Sequence, residues 1–264
     1  MEKILDVNGK TYEIIKLLGK GKGGYSYLAK IEKQEVVVKQ IHHEPCSYYQ
    51  FGNKLEAELS DYKRLQEIEF ELFSHFEVTA GIPTVLFAIT TWKENGQPNV
   101  CFHSWSCFHG DKTAFFAVMG NLYQHTHTYA NIQREKCFCI NFLPISYYEK
   151  LVATINNNDM EDDEFAVGDF TLSHAKSIHA PVIQEAFINM ECTLKDIQDL
   201  SGAGITAMII GQVQHISVEE TYAKGYEQRY GSDGFMMLIP APQNLITGEP
   251  NPSAIATINI EKYD

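Results

Sequence analysis

From Pro83 to Ile260 the chain is a succession of short apolar runs separated by turn-forming residues. Pro83 to Thr91, Asn99 to Trp105, Thr113 to Met119 and Cys137 to Phe142 come first, and Thr206 to Ser217, Gly234 to Ile239 and Ala254 to Ile260 close the series. Between them Ile188, Met190, Cys192 and Leu194 alternate with polar residues, as a half-buried strand requires. So many short strands predict a mainly β domain, a barrel or a sandwich.

Helices are the minority in this stretch. One is expected from about Thr128 to Arg134, and a second after Ser146, where Ser146 and Glu149 form a Ser-x-x-Glu capping box ahead of Leu151, Val152 and Ile155. The run 156–163 reads as a solvated loop, and Pro-rich turns fall at 239–243 and 247–252. No internal repeat is present.

The first 68 residues follow a different grammar. Tyr12 to Leu18 and Tyr25 to Ala29 flank a Gly-rich turn, Val36 to Lys39 is a β-branched run, and Leu55, Leu59, Tyr62 and Leu65 predict a helix over 54–67. Charge changes at the same place: residues 1–68 hold 11 Lys and Arg against 10 Asp and Glu, the remainder 10 against 24. We therefore expect two domains, 1–68 and 69–264.

A net charge of −13 argues against nucleic acid as a partner, because phosphate neutralisation needs clustered Lys and Arg. No run reaches the roughly 18 apolar residues of a membrane span, and the N-terminal residues lack a signal-peptide core. A cytoplasmic location is expected. The six cysteines follow no disulfide framework, and Cys137-Phe-Cys139 has no second ligand pair near it, so no metal site is expected.

Two polar stretches interrupt the strands. His103-Ser-Trp-Ser-Cys107 ends one of them with small side chains around a Trp, and Tyr123-Gln-His-Thr-His-Thr128 opens the first helix. A flavin mononucleotide needs donors for a phosphate and backbone partners along a flat ring. A helix N-terminus carrying hydroxyls and imidazoles meets the first need, and small residues beside Trp105 meet the second. The residues alone equally allow Trp105 as core and the His-Thr-His-Thr turn as a helix cap.

Order and spacing are more specific than either stretch alone. Ala88 to Val100, His103 to Ser106, Tyr123 to Tyr129, Cys139 to Phe142 and Asp163-Glu-Phe165 together resemble the flavin reductase-like, FMN-binding split-barrel family, its flavoredoxin-type members in particular, from about Ile68 onward. The resemblance implies a split β-barrel with FMN as cofactor. It places Ser104, Trp105, Ser106 and Cys107 at the isoalloxazine, Gln124, His125, Thr126 and Thr128 at the phosphate, and Asn141 near the ribityl chain or ring.

It further implies a homodimer, with the partner's 222–230 region as the candidate contributor to the site, and hydride or electron transfer between NAD(P)H and flavin, with no obligatory side-chain catalyst. The alternative it leaves open is an FMN-holding electron carrier that serves an electron-transfer protein without turning over free flavin. Many members of the family carry Arg or Lys in the phosphate turn; this chain has Tyr123-Gln-His instead.

The N-terminal glycines, Gly19, Gly21 and Gly24, precede a strand instead of a helix, and Lys39 ends the β-branched run that follows. Residues 10–67 resemble the start of a protein-kinase amino-terminal lobe, a small α+β fragment with Lys39 at the phosphate-pairing position and Glu58 as its partner. These positions give a nucleotide-binding module as a further alternative. Kinase activity is not expected: the catalytic-loop Asp and Asn and the Asp-Phe-Gly motif are missing from the chain.

Overall fold

The structure is a computed structural model that describes residues 3–7, 10–21, 24–41, 81–225, 229–240, 249 and 252–261. The chain divides into two compact units, Met1–Glu69 and Phe70–Asp264.

The first unit contains a four-stranded antiparallel meander of β1 (Lys3–Val7), β2 (Lys10–Gly21), β3 (Gly24–Ile31) and β4 (Gln34–Ile41). The expected strands at Tyr12, Tyr25 and Val36 lie in β2, β3 and β4. A two-residue turn joins β3 to β4, with Glu32 at φ 54°, the left-handed conformation that tight hairpins need. The expected helix at 54–67, with Glu58, lies outside the described residues.

In the second unit, β6 (Phe87–Trp92), β7 (Pro98–His103), β8 (Ser106–Gly110), β9 (Phe115–Tyr123), β10 (Cys137–Phe142), β13 (Ile188–Gln198) and β14 (Thr206–Val218) form one antiparallel sheet in the order β7-β6-β10-β13-β14-β9-β8. Its two edge strands, β7 and β8, are consecutive in sequence and joined only by Ser104 and Trp105. Three residue-to-residue steps reach at most about 11 Å, whereas seven strands laid flat span about 29 Å. The sheet must therefore roll up until its edges meet at this corner, which gives a barrel split between β7 and β8.

Smaller pieces cover the barrel. β5 (Thr84–Val85) lies in a three-stranded sheet with β15 (Met236–Ile239) and β16 (Ala254–Thr257), and β11 (Leu172–His174) pairs with β12 (Pro181–Ile183). The core is Phe87, Ile89, Met119, Phe138, Ile140, Phe142, Phe187 and Ile209 with their neighbours. Central strand β10 is buried on both faces, since Cys137 and Cys139 pack under Ala180 and Val182. These thiols are core side chains.

Helix α1 (His127–Glu135) covers β6 and β7 through Thr128, Asn131 and Ile132, and α2 (Tyr148–Asn156) covers β7 through Leu151 and Thr154. Burying Ile132 completely stabilises the first contact by about 2 kcal/mol. The expected capping box at Ser146 and Glu149 does not form. Ser146 lies inside a 3₁₀ turn, Ile145–Tyr147, that starts after Pro144, so α2 begins two residues later with Tyr147 as its cap and no side-chain cap bond. A short α3 (Glu164–Val167) follows, its Phe165 and Ala166 amides donating to Asp163 Oδ1 at 3.0 and 3.1 Å. A four-residue helix, α4 (Glu220–Ala223), follows β14.

Candidate functional site

Edge strand β7 has lost its barrel neighbour on one side, and what stands there in place of a strand is a cleft of about 520 Å³. Asn99, Val100, Cys101 and Phe102 form one wall, Tyr123 to Thr128 without Gln124 the second, and Thr154, Ile155, Asn158, Asp159 and Glu164 the third. The Val100 amide, which a strand would have taken, donates to Glu164 Oε2 at 2.6 Å. Side chains thus seal the strand edge and line the cleft together.

Glu164 is 1% exposed, and its other oxygen lies 2.8 Å from Lys93 Nζ, itself fully buried. Lys93 also donates to the carbonyls of Asp159 at 2.6 Å and Asp162 at 2.9 Å, fixing the loop that leads into α3. Burial pushes the Glu164 carboxyl above its ordinary range, against the opposing pull of Lys93 and the Val100 amide. Burial likewise pushes the Cys101 thiol up to about 11, opposed by a hydrogen bond with Thr128, so Cys101 presents a neutral thiol to the cleft.

At the opposite wall, Thr126 caps α1. Its Oγ1 accepts from the Tyr129 amide at 3.3 Å and donates to the Tyr123 carbonyl at 2.8 Å. The first intrahelical bond is Ala130 to Thr126 O, which leaves the amides of His127 and Thr128 without helical partners, as at any helix start. They sit at the positive end of the helix dipole. Asn99, 3% exposed, donates through Nδ2 to Thr128 Oγ1 at 2.9 Å, and its Oδ1 takes no hydrogen bond from the described residues.

Of the expected phosphate residues, the structure brings His125, Thr126 and Thr128 into the cleft, and it adds His127. Gln124 does not join them. Its carboxamide donates to Asp199 Oδ2 and the Thr206 carbonyl, both at 3.1 Å.

The expected ring residues form the barrel corner instead of the cleft wall. Ser104 is buried, Cys107 is exposed on β8, and the Trp105 carbonyl accepts from the Gly120 amide at 2.8 Å. Two polar atoms of this corner, His103 Nε2 and Ser106 Oγ, are buried without a hydrogen-bond partner among the described residues. Burial holds His103 below the usual imidazole range, against the pull of the Gly120 and Trp105 carbonyls.

Asn141 stands away from the cleft. It lies next to last in β10, fully buried, with Nδ2 donating to Ala88 O at 3.3 Å and Thr90 Oγ1 at 3.0 Å, and Oδ1 accepting from Ile183 N at 3.1 Å. Its side chain joins β6, β10 and β12 and does not line the cleft. Within the 222–230 region, the Tyr222 ring stacks on Phe187 of the same chain at 4.2 Å and is 8% exposed.

Asn99, Thr154 and Glu164 were not anticipated as cleft residues, nor Lys93 as the buried partner behind Glu164. In the first unit, strand register sets Gly19 opposite Ser26 and Ser26 opposite Lys39, one row across three strands, while Gly21 and Gly24 close the hairpin.

A rolled antiparallel sheet split at one corner, with a cleft at the start of its first helix, defines the flavin reductase-like split barrel. The family model described as flavin reductase like domain matches residues 79–232, and the chain belongs to that family of flavin-related oxidoreductases. Among solved structures, the chain resembles nitrilotriacetate monooxygenase component B from Bacillus cereus, at 16% identity and TM-score 0.59, over 76% of this chain and 98% of that one. Flavoredoxin from Methanosarcina acetivorans is similar at 14% identity and TM-score 0.56, over 76% and 95%.

The 2-nitrobenzoate 2-nitroreductase of Pseudomonas fluorescens gives 20% identity and TM-score 0.56 over 75% and 96%. A protein of Methanothermobacter thermautotrophicus is 24% identical over 150 residues, 56% of this chain and 70% of that one. Among the described residues no helix is long and apolar enough to cross a membrane.

Proposed function

We propose that the chain binds FMN and uses it to pass hydride or electrons between NAD(P)H and an acceptor. The observation that carries this reading is the cleft lined by the start of α1, where His125, Thr126, His127 and Thr128 stand together at the positive end of the helix. These groups suit the phosphate, and Asn99 Oδ1 offers an acceptor for a ribityl hydroxyl.

When bound, the flavin supplies the hydride chemistry. The chain's own residues hold and orient it. The Lys93–Glu164 pair keeps the third wall in place, and the half-buried thiol of Cys101 stays protonated beside the cofactor instead of competing as a nucleophile. We further propose that the protein acts as a cytoplasmic homodimer.

The test is the visible spectrum of purified protein mixed with FMN, before and after adding NADH or NADPH without oxygen. Flavin retention followed by bleaching supports a reductase, and retention without bleaching by either nucleotide supports a carrier. Protein that takes up no flavin overturns the proposal.

A further inference from the structure

A second cavity, of about 400 Å³, opens at the other end of β9 from the cleft. Phe115, which starts β9, lines it, whereas Tyr123, which ends β9, lines the cleft, so about 26 Å of extended strand separates the two. Phe142, 2% exposed, forms its floor. At its mouth stands Phe108, 38% exposed, while the other described lining residues are buried or half-buried.

Five rings make a continuous wall. Phe108 lies 6.1 Å from both Phe115 and Phe142, Phe235 meets Phe142 edge-on at 5.3 Å, and Tyr230 lies 6.0 Å from Phe235. The rest of the described lining is aliphatic, with the thioethers of Met190 and Met237, and carries no charge. The one polar side-chain group on these residues is the Tyr230 hydroxyl, which makes no hydrogen bond with the described residues.

We propose that this cavity is a binding site for a small, flat, uncharged aromatic molecule carrying at most one hydroxyl or carbonyl group. Its volume falls within the range of about 300 to 1,000 Å³ in which small ligands are held. Aromatic walls receive a further ring in offset or edge-on contact, and thioethers favour ring edges. An ion would leave its charge stranded among these groups, whereas one hydroxyl or carbonyl has the Tyr230 hydroxyl to pair with. The recess suits a molecule better than a second copy of the chain, because a stable interface buries about 800 Å² on each partner and Phe108 alone of the described lining stands exposed.

The experiment titrates the full chain with N-phenyl-1-naphthylamine, a neutral probe that fluoresces in apolar surroundings, and then displaces it. A single probe should bind per chain and be displaced by 2-naphthol, and at least about tenfold less well by the 2-naphthoate anion. Phe108→Ala, at the exposed mouth, should weaken binding about fivefold. Met237→Lys should abolish it, and Thr154→Ala in the cleft should leave it unchanged. Circular dichroism checks folding, and if Met237→Lys does not fold, Phe108→Ala decides. Absence of saturable binding, equal displacement by the anion, or full binding in the folded variants overturns the proposal. Displacement of the probe by FMN would assign the cavity to the flavin instead. Loss of probe binding as the chain self-associates, followed by sedimentation, would assign it to a second copy; either result overturns the proposal without touching the flavin reading.

Discussion

Lys93 Nζ and Glu164 Oε1 stand 2.8 Å apart with neither side chain more than 1% exposed, so the charged pair is taken wholly out of water. Such a pair is a poor source of net stability, because desolvation offsets most of the attraction, yet removing one partner strands the other. This asymmetry matters because Glu164 also holds the Val100 amide and Lys93 the 159–162 loop. Two of the three cleft walls depend on it.

Glu164→Gln and Lys93→Met should each lower unfolding stability by about 3 to 5 kcal/mol. The double variant should lose much less than the sum of the two, since no buried charge is left alone. Urea denaturation of all three measures this. A strictly additive double variant would show that the two side chains act separately.

Asn141 separates a scaffold role from a cofactor role. Asn141→Ala leaves the buried Ile183 amide without its partner, while the Thr90 hydroxyl keeps its bond to the Pro181 carbonyl, and should cost about 1 to 3 kcal/mol. Flavin affinity, measured on the folded fraction, should stay within about twofold, since the side chain does not line the cleft. A large loss of affinity with unchanged melting temperature would return Asn141 to the cofactor.

How much of this could be read in advance depended on whether the signal was local. The β10 run Cys137–Phe142 is apolar on both faces and its limits were recognised, whereas β8 reads Ser-Cys-Phe-His-Gly, is mostly exposed at the sheet edge, and shows no apolar pattern to find. His125, Thr126 and Thr128 lie within one short segment that opens a helix, so their grouping was visible. Lys93 and Glu164 lie far apart in the sequence, and a lone charge in a polar stretch reads as solvated until the fold brings its partner to it. Asn141 was placed near the ribityl chain by the family resemblance alone, and the strand-joining bonds it makes were not legible because its partners, Thr90 and Ile183, are distant in sequence.

Gly211 of β14 marks a close approach between strand and ring. A Cβ there would meet Phe138 Cζ at 2.5 Å and Cys192 Cβ at 3.0 Å, inside a core with no room to give. Gly211→Ala should therefore destabilise by about 1 to 3 kcal/mol. Combining it with Phe138→Leu, which removes the obstructing ring edge, should recover part of the loss. Thermal melts of the two variants test this, and an unchanged Tm for Gly211→Ala alone would mean that the ring moves aside freely.

Glu191 supplies the pH dependence. It is 3% exposed and accepts from the Lys176 amide at 2.8 Å and from the Ser177 amide at 2.6 Å and hydroxyl at 2.5 Å, tying the segment before β12 to the barrel. Burial pushes its carboxyl up, but these donors, with His215 across the sheet, outweigh burial and leave it below the usual carboxylate range. A depressed carboxyl contributes stability that is present above its unfolded value of about 4.3 and is lost as the pH falls through the lower folded value. Wild type should therefore exceed Glu191→Gln by about 2 kcal/mol at pH 7, and the gap should close progressively below about pH 4. Denaturation midpoints from pH 7 to 3 measure it; a gap that stays constant over that range would mean the carboxylate charge contributes nothing.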